Sequence, residues 1–141
     1  MQVSRNDIAY MNLALKVADL SECKFKHGTV ITSGGKPLIV APNIDKLLPI
    51  DNRFREQIRR NPSKAAKARR ERSISTHAEV NGIVRAGCNL RGCTLYSARI
   101  TRHGESANSY PCPSCWQVIQ IAGIKTVVYF DDHGDICKVR V

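Results

Sequence analysis

The chain has 141 residues, 22 Lys and Arg against 12 Asp and Glu, a formal net charge of +10, and 43% apolar residues. That balance suits one domain with its own core and excludes global disorder. No apolar run reaches the roughly 20 residues of a membrane span, and MQVSRNDIAY lacks the apolar stretch of a secretion signal, so a soluble cytoplasmic protein without membrane contact is expected.

The elements follow in chain order. Ser4-Arg5-Asn6-Asp7 reads as a capping box before a helix whose apolar positions Ile8, Met11, Leu15 and Ala18 fall at helical spacing up to Leu20. His27 to Thr32 and Lys36 to Ala41 are short β-prone runs around Ser33-Gly34-Gly35, a hairpin signal, and Pro42 ends the second. From Ile44 to Ser73 the character changes: ten Lys and Arg against four Asp and Glu place +6 of the net charge in thirty residues. SKAAKARRER within it has helix formers but no apolar stripe, which marks a basic insertion and not a second domain. Order resumes with a helix over Ile74 to Ala86, a strand over Thr94 to Ile100, a helix over Pro113 to Ala122, and strands over Lys125 to Phe130 and Ile136 to Val141. Asp131-Asp132-His133-Gly134 is too short for anything but an antiparallel return. The order α-β-β-α-β-α-β-β predicts a single α/β domain over 1–141, a three-layer α/β/α sandwich around a mixed five-stranded sheet.

Two short patterns carry chemistry. His77-Ala78-Glu79 and Pro111-Cys112-Pro113-Ser114-Cys115 each open a helix. Alone, Thr76-His77-Ala78-Glu79 also fits a capping box, and a Cys-x-x-Cys fits a structural zinc site or a redox pair. Together they are more specific. Cysteines three apart share one helix face, and side chains of a first turn reach beyond the helix end. If both helices aim at one point, His77, Cys112 and Cys115 supply three zinc ligands and leave the fourth position open, as in catalytic sites. The cysteines would bind as thiolates. A pattern H-x-E followed by P-C-x-x-C resembles that of the zinc-dependent cytidine and deoxycytidylate deaminase superfamily. Lys26 to Ile31, Asn43 and Ala122 to Tyr129 match it in style, and the Pro-Cys-Pro-x-Cys loop looks like that of viral or bacteriophage deoxycytidylate members.

That resemblance implies a cytidine deaminase-like fold, a Zn2+ cofactor and a homo-oligomer. It also implies hydrolytic deamination of a cytosine nucleotide, dCMP to dUMP first and dCTP second, in pyrimidine nucleotide supply. Glu79, not a ligand, would carry the proton between water, ring and leaving amine. The Ala78 amide would bind the base carbonyl, Asn43 the sugar hydroxyl, and the Tyr110 backbone would lie near the exocyclic amine. Two other readings stay open: a deaminase acting on a base in RNA or single-stranded DNA, for which the charge argues, and a non-catalytic zinc-stabilised module that binds nucleotides or nucleic acid.

The remaining features have plainer readings. Cys88 and Cys93 could join Cys112 and Cys115 in a four-cysteine site, although their spacing is unusual for one, while Cys23 and Cys137 read as buried hydrophobes. His27 reads as a packed or surface side chain, and Trp116 as core or subunit-interface packing. Within the insertion Arg53, Arg55, Arg59 and Arg72 are the candidate phosphate contacts. Phe54 is its one aromatic, too few for the stacking platforms of a single-strand binder.

Overall fold

The computed structural model describes residues 2–44, 77–87 and 89–141. The insertion expected over 44–73, with Arg53, Arg55, Arg59 and Arg72, lies outside the described residues from position 45 onward, as does Cys88.

Helix α1 (Arg5–Asp19) begins as a reciprocal cap. The Ser4 hydroxyl accepts the Asp7 amide at 3.1 Å, and the Asp7 carboxylate accepts the Ser4 amide at 2.9 Å. Met11, Ala14, Val17 and Ala18 form its buried face. Strands β1 (Lys26–Ser33) and β2 (Lys36–Pro42) make the hairpin around Gly34-Gly35, with a shift in register between Ile31 and Thr32. Helix α2 (Ala78–Ala86) precedes β3 (Thr94–Ile100), and β4 (Ser106–Ala107) folds back on the end of β3. Helix α3 (Pro113–Ala122) crosses to β5 (Thr126–Phe130), which turns into β6 (Ile136–Arg140). Gly123, at φ 83°, ends α3 in the left-handed region where a side chain would be strained.

The strands lie in the order β2-β1-β3-β5-β6. β3 and β5 are parallel because a helix connects them, and every other pair is antiparallel, so the sheet is mixed. It has six strands and not the expected five. The sixth is the two-residue β4, paired through Arg99↔Ala107 and Ile100↔Ser106. Its residues have low β propensity, and backbone pairing alone recruits them, which a hydrophobic pattern does not reveal. Helix α2 starts at Ala78 among the described residues; positions 74–76 of the expected helix lie outside them.

Helices cover both faces. On one, α1 approaches β1 so closely that a Cβ on Gly28 would collide with the backbone of Ala14 and Ala18. Met11, Ala14, Val30, Tyr96, Ala98, Val128 and Phe130 pack together there. On the other face Gly82 of α2 sits over Thr29, Ile31 and Ala41, and Ile31, Leu90, Leu95, Ile119, Ile124 and Val127 form a second cluster. No helix among the described residues is long and apolar enough to cross a membrane.

Candidate active site

Two helix starts meet over the second face of the sheet. His77 is the N-cap of α2 and Cys112 the N-cap of α3; both have extended backbone (φ −64°, ψ 153° and φ −66°, ψ 163°), and neither side chain caps its own helix. The first helical bonds close behind them, Asn81 N to His77 O and Trp116 N to Cys112 O, each 2.9 Å. The imidazole and the thiol therefore project ahead of the helices. Pro113 presets the first turn of α3, and Cys115 follows on the same face.

The result is a compact donor cluster. His77 Nδ1 lies 3.5 Å from Cys112 Sγ and 3.3 Å from Cys115 Sγ, and all three donor atoms lie within 4.8 Å of one another. A tetrahedral zinc with the usual Zn–S and Zn–N lengths spans N···S edges of about 3.6 Å, so the spacing fits. The donors fit too, since two thiolates and an imidazole favour zinc over harder cations. Among the described residues this is the one group of three or more His, Cys, Asp or Glu arranged to hold a metal ion. The Cys112 thiol is held down to about 3, chiefly by the hydrogen bond from Cys115, with His77 and Ser114 adding and burial opposing. It is thus already in the metal-binding form.

Glu79 sits in the first turn of α2, 3% exposed. It does not close the helix end as a capping box would; the N-cap is His77, and the carboxylate Oε1 accepts Ser97 Oγ at 2.9 Å. Ser97 lies on β3 and is tied to Ser109 by exchange: its hydroxyl also reaches Ser109 O at 2.9 Å, while Ser109 Oγ donates to Ser97 O at 2.6 Å. A hydroxyl carries one proton and two lone pairs. When Glu79 is ionised, Ser97 donates to it. When Glu79 holds a proton, Ser97 can accept that proton's hydrogen bond and donate to Ser109 O instead. The pair thus satisfies both protonation states without moving a heavy atom.

The other candidates divide. Ala78 is buried at the first helical position, where the backbone N–H has no acceptor within the helix. Asn43 is buried with both ends of its amide engaged: Oδ1 accepts Ser21 Oγ at 2.5 Å and His27 N at 3.0 Å, and Nδ2 donates to Phe25 O at 2.6 Å. The second Nδ2 hydrogen has no acceptor among the described residues. Tyr110 is half-exposed, its ring stacked on Trp116 at 5.3 Å and edge-on to Tyr129 at 5.0 Å. Its amide donates to Asn108 Oδ1 at 2.9 Å. Cys93 is buried with Ile31, Leu95 and Ile119, away from the donor cluster.

Two further residues stand at the site: His27, which reads in the sequence as a packed or surface side chain, and Ser97, which no motif singles out. His27 faces His77 with near-parallel rings, centroids 6.4 Å apart and planes at 20°. Burial lowers its affinity for a proton, and His77 and Arg99 lower it further against Glu79. Ser97 is the other. Its signal was a serine at an inward position of a strand whose inward neighbour is Leu95.

Comparisons with known proteins agree with this architecture. The family model described as the cytidine and deoxycytidylate deaminase zinc-binding region matches residues 4–131. Among solved structures, the dCMP deaminase of cyanophage S-TIM5 in complex with dCMP and dUMP is similar at 21% identity, covering 94% of this chain and 85% of that one, TM-score 0.60. Its apo form is similar at 22% identity, covering 94% and 86%, TM-score 0.61. The cytidine deaminase of Burkholderia pseudomallei is similar at 15% identity, covering 98% and 93%, TM-score 0.58. A search of curated protein sequences returned no significant match.

Proposed function

The chain belongs to the cytidine and deoxycytidylate deaminase zinc-binding family, and from that premise we propose that it hydrolyses the 4-amino group of a cytosine nucleotide, dCMP first, to give dUMP and ammonia. The observation that carries the reading is a buried carboxylate, Glu79, held by one serine beside three metal donors. A closed structural zinc site would use four protein ligands and has no need of such a carboxylate.

His77, Cys112 and Cys115 would hold the zinc. When bound, it supplies a Lewis acid that lowers the pKa of water toward neutrality. Glu79 takes one proton of the attacking water and hands it to ring N3, then carries the second, from the hydroxyl added at C4, to the leaving amine as the C4–N bond breaks, acting in turn as base and acid. Ser97 keeps the carboxylate aimed through both states. The Ala78 amide, at the positive end of α2, donates to the base carbonyl. Asn43 offers its remaining amide hydrogen to the sugar and fixes the start of β1. Tyr110 closes the side of the pocket by its backbone. Nucleotide supply is the role such a reaction serves, and the dCMP and dUMP bound by the cyanophage enzyme support this substrate class.

The test is ammonia release by the purified protein from dCMP, dCTP, cytidine and a cytosine-bearing oligonucleotide. Preference for dCMP or dCTP supports the reading. Activity on the oligonucleotide alone moves the substrate to a polynucleotide, and silence on all four with one zinc per chain favours a binding module.

A further inference from the structure

We propose that Arg99, supported by Phe25 and Lys24 at the start of β1, forms the subsite that receives the phosphate of the substrate nucleotide. This rests on the reading of the neighbouring site as a cytosine nucleotide deaminase, and it assigns the phosphate to the shared end of the interior strands β1 and β3, not to the arginines of the insertion.

The sheet register makes the argument. β1 and β3 pair Thr29 with Ser97 and His27 with Arg99. Side chains two apart on a strand share a face, and each such step advances about 6.8 Å. Ser97, which holds Glu79, and Arg99 therefore stand on the same face, one step apart. The row runs from the buried proton carrier, past His27 facing His77, to a cation at the rim. A nucleotide whose base reaches Glu79 extends its sugar and phosphate outward along this row.

The rim is built for an anion. Phe25 is 60% exposed, large for an apolar side chain left in water. The Arg99 guanidinium stands 5.9 Å from its ring centroid and the Lys24 ammonium 5.7 Å. A cation–π contact at that distance draws on the charge of the guanidinium and uses none of its N–H donors, so the fork that takes phosphate oxygens in pairs stays available. Among the described residues neither cation has a carboxylate partner; the ion pairs there are Lys26 with Asp19 and Lys138 with Asp7. The segment is also fixed in advance. Asn43 receives the His27 amide and donates to the Phe25 carbonyl, clamping Phe25 to His27 against the end of β2. A single exposed ring, already flanked by cations, is one phosphate site and not the row of stacking platforms that a strand requires.

The experiment compares kcat/KM for dCMP and for deoxycytidine in the wild type, Arg99→Ala, Arg99→Gln and Arg99→Lys. The expected result is a dCMP-to-deoxycytidine ratio lowered by roughly 10- to 100-fold in the Ala and Gln variants, mainly through KM, with partial recovery in Arg99→Lys. Because the ratio compares two substrates on one protein, general damage to the fold cancels. A binding readout runs beside it: dUMP raises the melting temperature of the wild type more than deoxyuridine does, and Arg99→Gln erases that difference. An unchanged ratio with an unchanged dUMP shift overturns the subsite while leaving the deaminase reading intact. A loss confined to a cytosine oligonucleotide, with dCMP unaffected, overturns it in favour of a polynucleotide contact. A wild type that deaminates nothing and gains no stability from dUMP removes both readings.

Discussion

Two adjacent residues of β3, Tyr96 and Ser97, face opposite sides of the sheet, and each holds a buried carboxylate from a helix start. Tyr96 donates to Asp7 at 2.7 Å and Ser97 to Glu79 at 2.9 Å. Both acids are 3% exposed. The surroundings separate them. The Asp7 carboxylate also accepts the Ser4 amide and Lys138 Nζ at 3.0 Å, and its own amide donates to the Ser4 hydroxyl. Burial pushes its carboxyl up, yet those hydrogen bonds outweigh it and hold the group below the usual carboxylate range. Glu79 has one hydroxyl partner among the described residues, no cation, and a metal-donor cluster ahead of its helix. A carboxylate held by three donors across both oxygens, one of them a cation, is part of the scaffold. One left with a switchable partner can carry a proton.

The contrast breaks most sharply at Glu79. Glu79→Gln is expected to lower turnover by at least about 10³-fold, the scale of a lost acid–base group. Its melting temperature and zinc content should stay near those of the wild type. Asp7→Asn is expected to do the reverse, with about 2 to 3 kcal/mol less stability and unchanged turnover per folded molecule, because Lys138 loses its buried partner. The pH dependence follows in sign. A depressed carboxyl stabilises the fold above its unfolded value near 3.8, and the contribution fades as the pH falls through the folded value. Wild type and Asp7→Asn should therefore differ in melting temperature above about pH 5 and draw together as the pH falls through the depressed folded value of Asp7.

Smaller effects sharpen the same comparison. Ser97→Ala should lower kcat about 10- to 100-fold by loosening the aim of Glu79, with KM for dCMP changing far less; a change confined to thermal stability would reduce Ser97 to a packing residue. Thr29 stands across the ladder from Ser97, fully buried, and its hydroxyl has no hydrogen-bond partner among the described residues. Thr29→Val removes that orphaned group at nearly constant volume, so a gain of about 1 kcal/mol in denaturant unfolding is expected.

Much of this was legible along the chain. The capping box at Ser4, the two-glycine hairpin, the strand over Thr94 to Ile100 and the helix over Pro113 to Ala122 each depend on neighbours in sequence, and the structure has them. Spacing alone also put Cys112 and Cys115 on one turn. What it could not contain is set by the sheet. β4 forms because a loop falls across the end of β3, not because Ser106-Ala107 prefers a strand. Ser97 beside Glu79, and His27 beside His77, are products of register across β1 and β3, where a shift of one residue would turn each to the other face. Asn43 was read as a substrate contact from the resemblance; that its amide also clamps the start of β1 depends on a turn that brings Ser21, Phe25 and His27 around it.

X-ray absorption at the zinc edge of the purified protein tests the central claim most directly, since it reads the ligand set without reference to any substrate. The account predicts one zinc per chain with two sulfurs at about 2.3 Å and two lighter atoms near 2.0 Å, one of the lighter pair exchangeable and both sulfurs lost in a Cys112→Ser, Cys115→Ser double variant. A shell of four sulfurs, or a lighter pair drawn wholly from protein side chains, would contradict it.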